Sequence, residues 1–190
     1  MTIPNRPKRI TITQRISSVT NAFVNSVIPN IEPSAEEMTR AISILGMSED
    51  DVRCAYCGDR ATEWDHLMPL IDGKKPTGYI TDIYNLIPAC GKCNQSKASK
   101  PWLNWIRGSA KLSPSSRGIV DLENRIARIL QYERWAKEKR RTLDIAAIAG
   151  VLWDEHERDR LDIAEKMKIA EERAIKIRAL LWAHFDGRTP

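Results

Sequence analysis

Between Thr13 and Val27 the apolar residues Ile16, Val19, Phe23 and Val27 recur at steps of three and four, the period of one helix face. Pro29 and Pro33 interrupt that pattern. Ser34 followed by Glu37 forms a capping-box sequence, which predicts a second helix through Ile42 and Leu45 that stops at Gly46. The texture then changes. Between residues 54 and 100, Cys, Gly, Pro and Asn punctuate short apolar pieces, and little regular helix fits before about Asn94. Arg60–Leu70 is the best strand candidate there, and Asp72–Thr77 reads as a loop. A second loop covers Ser109–Ser116, and from Arg117 the pattern is helical almost to the end, with breaks near Thr142 and Gly150. In the last stretch Ile163, Met167, Ala170, Ala174, Ile177 and Leu181 follow a 4-3-4-3-4 spacing. That is the seam of a short coiled coil, or the buried stripe of a helix packing on its own domain.

Composition narrows the class. At 42% hydrophobic and 29% charged, the 190 residues describe a globular chain rather than a disordered or fibrous one. No apolar run approaches the roughly 18 residues that cross a bilayer, so no membrane association is expected. The basic N-terminus lacks the apolar stretch of a secretory signal, which gives a cytoplasmic expectation. The net charge of +5 says little by itself, but its distribution is uneven. Residues 64–141 carry 15 basic side chains against 7 acidic ones, a surplus suited to a polyanion.

All four cysteines fall in two identical spacings, Cys54-Ala-Tyr-Cys57 and Cys90-Gly-Lys-Cys93. Two CxxC knuckles match a tetrahedral thiolate cage for Zn²⁺, and four thiolates would leave no open coordination position. Such a zinc is structural. Redox pairs would call for a βαβ setting, and disulfides for an oxidising compartment, and the sequence signals neither.

Of the three histidines, only His66 lies between the knuckles, beside Asp65. His156, among Asp154, Glu155, Glu157 and Arg158, reads as a solvated helix residue, and His184 lies near a helix end. Asn85 precedes the second knuckle and Asn94 follows it directly. Neutral imidazole can take a proton from water at physiological pH, and a hard divalent cation seeks oxygen donors such as the Asp65 carboxylate and the Asn94 amide.

The run Cys54–Trp105, with the pattern CxxC…DHLxPL…NLIPACGKCNxSK, resembles the zinc-bound HNH endonucleases, also called ββα-metal nucleases. The resemblance implies a predominantly helical α+β chain with a zinc-bound ββα-metal core. It also implies His66 as general base, Asp65 and Asn94 on a catalytic Mg²⁺ or Mn²⁺, and Asn85 orienting the His or pinning the intervening loop. Asn94 stands where many members carry a final His. The resulting division is an N-terminal helical segment (1–53), the nuclease core (54–107) and a C-terminal helical region for DNA binding or dimerisation (108–190).

Lys97, Lys100 and Arg107 are candidate contacts to DNA phosphates, although Lys97 reads equally well as a solvated lysine. Trp102 and Trp105 are better placed for burial under the motif helix than for base stacking. The favoured function is a type II restriction endonuclease, a homodimer cutting double-stranded DNA to 5′-phosphate and 3′-hydroxyl ends. Homing, nicking or junction-resolving enzymes, and a non-catalytic zinc-binding DNA module, are the alternatives.

Overall fold

The structure, a computed structural model, describes residues 7–185. The chain forms two compact units, one of Val27–Asp144 and one of the residues up to Ser26 together with those from Ile145 onward. This grouping follows contacts rather than chain order, so it differs from consecutive cuts after residues 53 and 107.

In the Val27–Asp144 unit, helix α2 (Ala35–Ile44) opens on the capping box read from the sequence. The Glu37 amide donates to Ser34 Oγ at 3.2 Å, and the Ser34 amide donates to the Glu37 carboxylate at 2.8 Å. Strand β1 (Glu63–His66) pairs antiparallel with β4 (Leu86–Ala89), with Asp65 opposite Ile87 and His66 opposite Leu86. A small hairpin of β2 (Ile71–Asp72) and β3 (Lys75–Pro76) lies in the connection. Helix α3 (Gly91–Lys97) packs on β1, completing a ββα arrangement, and α4 (Trp102–Ile106) follows.

Strand β1 is shorter than the Arg60–Leu70 run expected, because the chain leaves the ladder at Leu67 and is held by Asn85 instead. Helix α5 (Leu122–Lys137) buries Ile126, Ile129, Tyr132 and Ala136 and packs against α2. The core joins Tyr56, Leu67, Ile87 and Ile106 to these side chains. Trp102 and Trp105 are buried as anticipated, and Trp105 meets Tyr56 edge-on with ring centroids 5.0 Å apart.

In the other unit, α1 (Ile16–Asn25) packs on the 35-residue helix α7 (Val151–Phe185), with α6 (Ile145–Ala149) just before it. Gly150, at φ +52°, separates α6 from α7 where the sequence placed a break. His156 is not a solvated residue. Its Nε2 lies 2.9 Å from the Phe23 carbonyl, and its ring packs against Phe23. The contact caps a carbonyl at the end of α1, so Nε2 must carry the hydrogen. The six-residue seam anticipated on α7 is only partly covered. Met167, Ala170 and Ala174 are half-buried, whereas Ile163, Ile177 and Leu181 are exposed.

Candidate functional site

The two knuckles close on each other at one end of the β1–β4 ladder. All four sulfurs lie within 4.8 Å of one another, and Cys57 Sγ sits 3.7 Å from Cys90 Sγ. Tetrahedral Zn–S bonds of about 2.3 Å place sulfurs about 3.8 Å apart, so the cage has the size zinc requires. The first knuckle is a tight turn in which the Gly58 amide donates to the Cys54 carbonyl at 2.8 Å. Gly58 has φ +81°, and a Cβ there would stand 2.4 Å from the Arg125 guanidinium, which donates to the Cys54 carbonyl. A side chain at that position would meet backbone strain and would have to displace the Arg125 head.

Arg117 donates to Cys93 Sγ at 3.3 Å and to Asp59 at 2.8 Å, placing positive charge beside a cluster that becomes anionic when it binds metal. Hydrogen bonds from Cys54 and Cys93 hold the Cys57 thiol well below the ordinary range, while Cys54 and Cys93 are pushed up by the same crowding. In a bare four-sulfur cluster one thiolate suppresses its neighbours, and a cation relieves that repulsion.

The first knuckle also reaches into the next layer. Tyr56, fully buried between Cys54 and Cys57, donates its hydroxyl to Asp65 Oδ2 at 2.5 Å. Asp65 faces α3, where Lys97 Nζ lies 3.1 Å from Oδ2 and 3.3 Å from Oδ1. The same ammonium donates to the His66 carbonyl at 2.7 Å. Lys97 is 0% exposed, which overturns both sequence readings of it: it is neither a solvated lysine nor open to a DNA phosphate. Burial pushes the Asp65 carboxyl up and the Lys97 ammonium down, and their mutual attraction opposes both shifts. With three acceptors within reach, the ammonium is satisfied, and the pair is an ion pair.

The next residue turns the other way, as strand alternation requires. His66 Nε2 lies 2.9 Å from Thr81 Oγ1, in the loop before β4. Burial, reinforced by the Lys97 charge, pushes the imidazole pKa down to about 4, so His66 is neutral at physiological pH. Asn85 is fully buried and does not face the site. Its Oδ1 accepts from the Met68 amide at 2.8 Å, and its Nδ2 donates to the Met68 and Ile80 carbonyls at 3.0 and 3.3 Å. It clamps both ends of the 68–80 excursion.

Asn94, half-buried on α3, donates from Nδ2 to Glu63 at 2.5 Å, which leaves its carbonyl oxygen free. Glu63 and Asp65 stand two apart on β1 and share the face toward α3. Glu63 and Asn94 meet there, and with Asp65 on the same strand face they supply oxygen donors of the kind a hard divalent cation takes. Sequence reasoning missed Glu63, Tyr56 and Thr81. The two-residue strand period pointed to Glu63, and Tyr56 lay inside a knuckle, whereas no local signal marked Thr81. Of the remaining phosphate candidates, Lys100 is exposed, with Nζ on the Ser96 carbonyl at 2.8 Å. Arg107 is exposed but paired with Glu123 at 2.7 Å.

Residues 54–100 match the HNH endonuclease family. Over 94 residues the chain is 30% identical to the CRISPR-associated endonuclease Cas9 of Corynebacterium diphtheriae, an alignment covering 47% of this chain. The chain spans only 8% of that relative's length. No solved structure matches it. The cysteine cage, the ββα arrangement and the family match converge on one statement: this chain carries an HNH endonuclease domain at residues 54–100.

Proposed function

We propose that the chain is a metal-dependent DNA endonuclease that leaves 5′-phosphate and 3′-hydroxyl ends, and that it acts as a type II restriction enzyme. The observation that carries this is the neutral, half-buried His66, held at Nε2 by Thr81 and adjacent in sequence to Asp65 on the strand whose other face meets Asn94 of α3. His66 takes a proton from the attacking water, and Thr81 fixes the ring. That role requires Nε2–H donating to Thr81, which leaves the Nδ1 lone pair for the proton. The water oxygen bonds to phosphorus as the bond to the 3′ oxygen breaks, and that oxygen leaves protonated by solvent.

Asp65 and Asn94, with Glu63 beside them, would hold Mg²⁺ or Mn²⁺. Bound there, the cation supplies Lewis-acid stabilisation of the phosphate and its departing oxygen. Asp65 can serve while bonded to Tyr56 and Lys97, because a carboxylate offers about four lone-pair sites. The four cysteines hold a structural Zn²⁺.

One such site cuts one strand, so cutting a duplex calls for a symmetric pair, and the exposed apolar residues of α7 offer a homodimer contact. No helix among the described residues is long and apolar enough to cross a membrane. The reading includes a cytoplasmic location, where DNA is present and zinc thiolates stay reduced.

The test is incubation of unmethylated phage DNA with protein and Mg²⁺ or Mn²⁺, followed by end sequencing. Wild type should give discrete fragments. His66→Ala should lose on the order of 10²- to 10⁴-fold in rate with zinc content unchanged. Equal cutting by both proteins overturns the mechanism. Single-strand nicks or branch-dependent cuts replace the restriction reading with a nicking or junction-resolving one.

A further inference from the structure

The basic surplus of residues 64–141 is not one continuous charged surface. Much of it is neutralised where it stands: Arg107 by Glu123, Arg117 by Asp59, Arg125 by Asp121 and Arg141 by Asp82. Arg134, Lys137 and Arg140 differ, since among the described residues none of the three has a carboxylate within ion-pair distance. These three cations line one open groove of about 760 Å³, in which Glu133 is the single acidic side chain.

The opposite wall is built from the catalytic excursion itself. Met68 lies two residues after His66, and Tyr79 lies two residues before the Thr81 that holds the His66 ring. The wall is rigid where it matters. Asn85 pins Met68, and Tyr79 bridges to Thr142. Arg140 is itself anchored, with Nε donating to the Tyr84 carbonyl at 3.0 Å, while its Nη2 is a buried donor with no partner. Arg140 feels Asp82 only at a distance, because Asp82 pairs with Arg141, and its unsatisfied donor is an unfinished hydrogen-bond set that a phosphate oxygen would complete once the guanidinium turns into the groove.

We propose that this groove is a DNA-backbone subsite, in which Arg134, Lys137 and Arg140 hold phosphates flanking the bond cut at His66. The inference rests on the nuclease reading above and adds the path of the strand. It also explains why the cations in this groove, unlike those around the zinc cage, carry no carboxylate partners. Contacts of this kind position the duplex without reading its sequence.

The experiment uses the full zinc-loaded chain and a fluorescently labelled duplex carrying a site mapped from the wild-type fragments. Anisotropy is measured across a salt series without catalytic cation, and cleavage kinetics are measured with it. Each phosphate contact contributes about 0.9 to the slope of log affinity against log salt. Arg134→Ala/Lys137→Ala should therefore lower that slope by about 1.8 and weaken binding by up to about 60-fold near 0.1 M salt. KM should rise while kcat is kept, because His66 and its partners are untouched. Lys166→Ala/Lys176→Ala, which removes the same net charge from α7, should leave both quantities unchanged.

An unaltered slope in the groove variant, with wild type cutting normally, overturns the subsite and leaves the nuclease reading standing. An equal loss in the α7 variant overturns it too, by showing an effect of net charge alone. Tighter binding of an RNA duplex of the same sequence through these residues overturns the assignment to DNA. Undiminished cutting by His66→Ala is a different failure, that of the nuclease reading itself.

Discussion

The unit around the zinc cage and the long helix of the other unit handle polar and apolar groups in opposite ways. In the first, a lysine, an aspartate and an asparagine are buried to within a few percent, each with its partners supplied by residues far away in sequence. In the second, 35 helical residues bury only Arg160, Ala164 and Glu171, while Leu161, Ile175, Leu180 and Trp182 stand about half exposed or more. A short segment with little regular structure holds buried charge because side chains distant in sequence clamp it. A long helix satisfies its own backbone and needs no such fixing, so its apolar residues can stay exposed.

The strongest way to break this contrast is to remove the cage. Cys93→Ser should cost most of the roughly 10–16 kcal/mol associated with structural zinc binding, unfolding the β1–β4–α3 core. Hydrogen exchange by segment should then show loss of protection at Glu63–His66 and Leu86–Ala89, with α7 still helical by circular dichroism. Retained protection in those strands would mean that the hydrophobic core holds the site without metal.

The next effect concerns the buried charge. Lys97→Ala leaves Asp65 without its counter-ion, and the expected cost is about 3–5 kcal/mol by urea denaturation of zinc-loaded protein. Replacing both partners, Lys97→Met with Asp65→Leu, should recover much of that loss. Additive losses would show that the two residues stabilise the core separately.

Acid sharpens the same point. An unfolded histidine titrates near 6.5, whereas burial and the Lys97 charge push His66 down to about 4. Between those values the unfolded chain binds the proton and the native state does not, so stability falls with pH in that window. The contribution is complete above about 6.5 and is lost toward 4. Asp65, held above its ordinary value, works in the opposite direction. Denaturation curves of wild type and His66→Gln across this range should diverge, and parallel curves would refute the shift.

The smallest effect on folding belongs to α7. Leu180→Gln and Trp182→Gln should change unfolding by no more than about 0.5 kcal/mol, as surface substitutions do. If the proposed homodimer uses this face, sedimentation should nonetheless show a shift to monomer. A sedimentation profile unmoved by either change removes α7 as the contact.

Much of the local architecture was legible. Ser34 and Glu37 announced the start of α2, and Gly150 marked the break before α7, because caps and breakers act within a few residues. The cysteine spacing defined a four-sulfur cage, and Asp65-His66 stood out against the other histidines. The strand was overextended to Leu70 because its apolar residues fit a ladder as well as a clamped loop, and only the Asn85 bonds to Met68 decide between them. The charged residues around His156 in the sequence suggest a solvated side chain, whereas its neighbours in space are Phe23 and Trp153.

The sequence by itself determined the ligand set for zinc, the helix boundaries that follow from capping, and the residue types able to do phosphodiester chemistry. Tertiary structure alone decided which charges are spent and which are free. Lys97 is consumed by Asp65, 32 positions earlier, and Arg117 is drawn to Asp59 and Cys93, whereas among the described residues Arg134, Lys137 and Arg140 have no carboxylate within ion-pair distance. The reason is physical. A cation's availability depends on how close a carboxylate comes and how much water remains, and both are set by the folding together of distant segments.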